Sequence, residues 1–204
     1  MLIAVPDLAS AACEIEARFG LVSVDGGRHP GWGTANRIVP LGKAYVELVS
    51  VVDDGEAAKS AVGRWVAQGG KRGIRPLGWA VRTRGLDAVA RRLGLPVRPG
   101  SRIAPDGTQF RWRSVGIEQA VAEPALPFFI EWDAHSRFPG RAAADHGIGD
   151  VELARVVLDG DAARLAEWLG EHTLSVDVRA GVPRVASIVL ASAAGEIVLA
   201  SDLL

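Results

Sequence analysis

Leu2-Ile3-Ala4-Val5-Pro6-Asp7-Leu8, running on to Phe19-Gly20-Leu21, is the stretch on which the fold turns. Four apolar residues read as a short strand, Asp7 offers a helix N-cap, and Leu8, Ala12, Ile15 and Phe19 recur at the spacing of one buried helical face. Gly20 stops the helix. The same pattern returns twice: helices end at Leu93-Gly94-Leu95 and at Leu169-Gly170, each preceded by a short apolar strand and followed by more strands. Two of the copies close on an aromatic, an aliphatic and a glutamate, Tyr45-Val46-Glu47 and Phe129-Ile130-Glu131.

Working outward, unit one (1–53) predicts strands at 21–24, 36–41 and 45–52, the last two joined by a tight Gly42-Lys43 turn. Asp53 and Asp54 cap a connecting helix that carries Ala58, Ala61, Val62, Trp65 and Val66 and stops at Gly69-Gly70. Unit two (75–134) repeats the order, with Pro105-Asp106-Gly107 as a turn between its later strands. A Gly/Pro/Ala-rich stretch from Phe138 to Gly149 then separates a shortened third unit (148–204), with strands near 151–157, 174–178, 185–191 and 196–203. The expected class is α+β: paired βαβββ units over 1–140, joined by a helix, with a third βαβββ-like unit that is structural or dimer-forming.

Composition sets bounds. The 204 residues, 49% hydrophobic and 23% charged, suit a globular chain with a sizeable core. A net charge of −1 gives no reason to expect a nucleic-acid partner. No apolar run reaches membrane-spanning length, and the N-terminal residues do not read as a signal peptide. The single cysteine, Cys13, forbids an intrachain disulfide, which makes the cytoplasm the expected compartment, and its neighbours mark it as a small core residue.

The candidate chemistry lies in three places. Gly26 to Asn36 is glycine-rich, but Ile38 to Leu41 read as a strand, so no helix N-terminus follows to cradle a phosphate. This segment reads either as a long connection with Trp32 folded over the sheet or as a loop that points His29 and Asn36 into a pocket. Glu47 sits on a strand whose faces are both largely apolar, and an enclosed carboxylate must be paired, protonated or metal-bound. Glu131 presents the same problem, so the two either share a site or pair with Arg37, Arg111 or Arg113. Alternation sets Trp112 opposite Arg111 and Arg113, as core or as pocket wall. His135, His146 and His172 lack metal-ligand spacing and read as surface residues, and Glu152 and Asp177 leave unit three chemically silent.

The repeated order, the opening Ile3-Ala4-Val5-Pro6-Asp7-Leu8, the stretch His29 to Asn36 leading to Tyr45-Val46-Glu47-Leu48, and Pro127 to Asp133 resemble the glyoxalase-like domain of the vicinal oxygen chelate superfamily. The resemblance covers residues 1 to 140 best. It implies an incomplete barrel around a divalent metal (Zn, Ni, Fe, Mn or Co), with ligands from the first and last strands of each unit. Carried onto this chain, Glu47 and Glu131 become last-strand ligands. The first-strand positions supply none, so either His29 completes the set, or residues before Met1 do, or no metal binds. Two functions follow. One is a metal-assisted lyase or isomerase with Glu47 or Glu131 as base, His29 as ligand or acid, and Trp32, Asn36, Arg111 and Trp112 around the substrate. The other is a metal-free protein that binds or sequesters a small molecule. The odd third unit adds a possible homodimer contact.

Overall fold

The computed structural model describes residues 1–200; the expected end of the last strand, 201–203, lies outside them. Unit one comprises β1 (Leu2–Ala4), α1 (Leu8–Phe19), β2 (Val24–His29), β3 (Thr34–Leu41) and β4 (Ala44–Val51). A connection follows as α2 (Asp54–Ala57) and α3 (Ala61–Gly70). Unit two comprises β5 (Arg75–Gly78), β6 (Ala80–Arg82), α4 (Leu86–Leu93), β7 (Arg98–Ile103), β8 (Gln109–Val115), α5 (Ile117–Ala122) and β9 (Phe128–Trp132). The third unit comprises β10 (Val151–Asp159), α6 (Ala162–Leu169), β11 (Val176–Arg179), β12 (Arg184–Ser192) and β13 (Gly195–Ala200).

Local signals explain these elements. The Asp7 carboxylate accepts from Ser10 N at 2.8 Å, and Asp161 does the same for Ala163 and Arg164 at the start of α6. Cys13 lies on the exposed side of α1, while Ala11 and Ile15 are buried, so the expected core role falls to its neighbours.

Nine strands form one curled sheet in the order β5-β1-β4-β3-β2-β7-β8-β9-β6. In each of the first two units the strand before the main helix lies parallel to the closing one, β1 to β4 with Leu2 beside Glu47 and β6 to β9 with Ala80 beside Phe128. The two outermost strands, β5 and β6, are separated in sequence by Trp79 alone. One kinked segment thus brings the ends of the sheet together and nearly closes the barrel. On the far side the two units meet at β2 and β7 through a single residue pair, Arg28 and Ile103.

The third unit keeps the order of elements but not the pairing. Its opening strand β10 is central, parallel to β11 and antiparallel to β12, in a separate sheet β11-β10-β12-β13. This sheet covers the outside of the β5 seam and shares one core with both units. Ile3, Ile15, Leu48, Leu86, Phe129, Leu158, Trp168 and Ile188 belong to a single buried cluster on the convex side. A second cluster on the concave side joins Leu2, Val49, Leu77, Trp112 and Ile130 to Trp65 and Val66 of α3 and to Ile117 of α5. Those two helices fill one end of the barrel and leave the other open. Among the described residues, no helix is long and apolar enough to cross a membrane.

Candidate functional site

The open end of the barrel is a cleft of about 480 Å³ to which all three units contribute. Strand alternation on β4 sends Val46 and Leu48 to the convex core and Tyr45 and Glu47 into the cleft. On β3, Asn36 and Ile38 face the same way, and Asn36 Nδ2 donates to Glu47 Oε1 at 2.9 Å. The glycine-rich segment is not one long connection: residues 24–29 are strand β2, and the turn is only Pro30-Gly31-Trp32-Gly33. His29 therefore sits on a strand end, 3% exposed, with Nδ1 2.9 Å from Thr34 Oγ1 and Nε2 3.7 Å from Glu47 Oε1. Burial lowers its pKa below the ordinary imidazole value, against the pull of Glu47, and Arg102 lowers it further; the ring is neutral at pH 7.

Aromatic rings form a continuous wall. Trp32 lies 5.4 Å from His29 and 5.9 Å from Trp112, Trp112 lies 5.2 Å from Trp132, Trp132 lies 6.4 Å from Tyr45, and Tyr45 lies 5.6 Å from Phe138. Gly100, across from Trp112, leaves the room that the indole fills. Burial, then Glu47, pushes the Tyr45 phenol above its ordinary range. The third unit is not silent here: β10 residues 152–156 and residues 173–176 line the mouth.

The two glutamates separate. Trp112 pairs with Trp132 across β8 and β9, which places Phe128, Ile130 and Trp132 in the cleft and turns Phe129 and Glu131 outward. Phe129-Ile130-Glu131 is thus one residue out of phase with Tyr45-Val46-Glu47, and with a period of two that reverses the face. Glu131 is ion-paired with Arg113, which also binds Asp87 of α4. Of the sequence candidates, His29, Trp32, Asn36, Glu47 and Trp112 come together. Glu131 and Arg111 do not; they line a separate depression that Trp112 and Trp132 also border. Glu131→Gln is expected to leave ligand affinity within about twofold of wild type by calorimetry, because exposed ion pairs contribute little.

His146 differs from its surface reading. Its Nδ1 accepts from Val22 N at 3.1 Å and its Nε2 meets Pro40 O at 2.9 Å, pinning the inter-unit stretch to unit one. Arg102 went unnoticed in the sequence. It is 5% exposed, lies 4.2 Å over the Phe110 ring and lines the cleft. Burial lowers its pKa, with Glu47 and Tyr45 opposing.

The donors present do not fit a divalent metal of the expected kind. Such sites need three or more protein ligands. Among the described residues no three of His, Cys, Asp and Glu converge. In the cleft Glu47 faces His29, but Glu47 Oε1 is already bonded to Asn36, and the first-strand partner of Glu47 is Leu2. A guanidinium shares the same space.

A family model described as a glyoxalase-like domain matches residues 1–174. The chain belongs to the glyoxalase-like domain family. That match runs past residue 140 through β10 and α6, so the third unit's first half falls within it. Among solved structures, this glyoxalase-like protein is similar to a hypothetical protein from Staphylococcus aureus, at 16% identity over 85% of this chain and 83% of that one, with a TM-score of 0.64. It is more loosely similar to methylmalonyl-CoA epimerase from Mycobacterium tuberculosis, at 23% identity over 70% of this chain and 89% of that one, TM-score 0.44. A Streptomyces coelicolor methylmalonyl-CoA epimerase in complex with 2-nitronate-propionyl-CoA matches at 17% identity over 66% and 94%, TM-score 0.45. No curated protein sequence matches the chain.

Proposed function

We propose that this glyoxalase-like protein encloses a small, flat, largely apolar molecule in the barrel cleft and does so without a metal. The observation that carries this reading is the unbroken aromatic wall from Trp32 to Phe138 in a cleft of about 480 Å³, a size suited to a small ligand. Stacking rings supply affinity with little side-chain entropy to lose, since their neighbours already hold them. The donor set described above gives no support to metal-assisted lyase or isomerase chemistry.

Titration of a panel of aromatic small molecules should quench tryptophan fluorescence saturably. Trp32→Ala should weaken that binding by about tenfold, the worth of one stacked ring pair. Absence of any quenching that depends on Trp32 or Trp112 would defeat the proposal.

A second reading rests on Glu47, a carboxylate in the cleft held by Asn36 beside a neutral imidazole. Positioned against a C–H bond of a bound carbon acid, it would serve as general base. Loss of ligand proton exchange with deuterated water in Glu47→Gln, with binding retained, distinguishes catalysis from sequestration.

A further inference from the structure

Arg102 is a buried charge with two of its donor nitrogens unmet. The residue is 5% exposed, and its Nε and Nη1 are both out of solvent with no hydrogen-bond partner among the described residues. Glu47 faces the same cleft, yet the two form no ion pair within 4.0 Å. Phe110 covers one face of the guanidinium at 4.2 Å. A second donor has the same character: Trp132 Nε1 is buried, unpartnered and part of the same wall. Lys43 and Arg82 lie at the mouth. Buried donors in folded proteins are nearly always satisfied, and an unpaired buried charge is strongly unfavourable. Among the described residues, those of this cleft thus carry three unmet donor atoms, Arg102 Nε and Nη1 and Trp132 Nε1, against one unmet acceptor, Asn36 Oδ1, and the excess of donors describes a missing acceptor.

We infer that the ligand of this cleft carries a carboxylate or a comparable planar anion, received by Arg102 and Trp132 Nε1, with its apolar body against the aromatic wall. The inference rests on the proposed binding function and names its ligand class. The anion supplies acceptors for Nε and Nη1 as charge-assisted hydrogen bonds, and the low dielectric that makes the empty site costly makes the filled one strong. Arg102 is thus a specificity-determining residue that lowers the stability of the free protein.

Naphthoate and its uncharged amide, naphthamide, form a matched pair of probes for calorimetry at neutral pH. Wild type should bind naphthoate about tenfold to a hundredfold more tightly than naphthamide, the range of a hydrogen bond to a charged group. Arg102→Met should abolish that preference by lowering naphthoate affinity far more than naphthamide affinity, and it should raise the melting temperature of the ligand-free protein by a few degrees. Arg102→Lys keeps the charge and should restore part of the preference. Equal affinity of wild type for the two probes overturns the inference and leaves the binding function standing. If neither probe binds, both fall. A lowered melting temperature in Arg102→Met, with loss of both probes, would make Arg102 a structural residue and also overturn it. The wild-type comparison decides even if a variant fails to fold.

Discussion

A chain ending at Asp145 is expected to lose cooperative unfolding and to associate, whereas the full chain melts in one transition. The reason is the shared convex core. Leu158, Ile188, Leu190 and Leu199 of the third unit are at most 1% exposed and lie in one cluster with Trp79 and Phe129. Trp168 belongs to the same cluster, its Nε1 donating to Pro127 O at 2.8 Å and its ring 6.3 Å from Phe129. Arg92 of α4 caps α6 by donating to the carbonyls of Glu167, Trp168 and Leu169. Each large side chain uncovered costs about 1.5–3 kcal/mol. Five or six of them consume the roughly 5–15 kcal/mol by which a domain is stable. The exposed face would be a contiguous apolar patch of the kind that drives association. Truncation also removes one wall of the cleft. Sedimentation and calorimetry of residues 1–145 check this; a soluble monomer with a sharp transition would show that the first two units fold alone.

That result bears on how far the chain can be read without its structure. The strand-helix-strand order was legible because α1, α4 and α6 each carry an apolar stripe and end at glycine, and those signals are local. The pairing of the third unit was not. A βαβββ order permits the first strand to pair with the last, as β1 does with β4, or with the strand after the helix, as β10 does with β11. Nothing within ten residues of either strand distinguishes the two. The choice depends on what the sheet must cover, here the convex seam around Trp79, and that is a long-range property.

The site divides in the same way. Glu47 was legible as an enclosed carboxylate because Tyr45, Val46, Leu48 and Val49 leave it no polar face. Glu131 carries the same triplet, but its phase is set by the pairing of Trp132 with Trp112, not by its neighbours in sequence. Arg102 was hidden by an inversion. Hydrophobic patterning would bury Ile103 and expose Arg102, yet Ile103 is 43% exposed and Arg102 is 5% exposed. A buried arginine beside an exposed isoleucine contradicts the rule that supplies most sequence predictions, and such contradictions concentrate where function sets the residue.

Gly27→Ala is expected to cost about 2–6 kcal/mol, combining backbone strain of about 1–3 kcal/mol with overpacking of similar size. Gly27 has φ of 145°, and a Cβ there would overlap the carbonyl of Ile103 and reach Ala104 N. Those are backbone atoms that cannot rotate away. The Ile103 carbonyl belongs to the residue pair by which β2 and β7 join the two halves of the barrel, Arg28 with Ile103. Widening that seam moves Arg102, one residue from Ile103, and His29, one residue from Arg28, so the expected loss of naphthoate binding exceeds the loss for naphthamide. Gly107→Ala provides the control. Gly107 also has positive φ, 83°, but a Cβ there meets nothing within 4 Å, so the substitution carries the backbone strain alone. Urea midpoints for the two variants should therefore differ, with Gly27→Ala the lower, and only Gly27→Ala should alter the ratio of affinities for the two probes. Equal midpoints and an unchanged ratio would mean that the close approach at Gly27 does not hold the halves of the barrel in register. The anion site would then be set within unit two, by β7, β8 and β9.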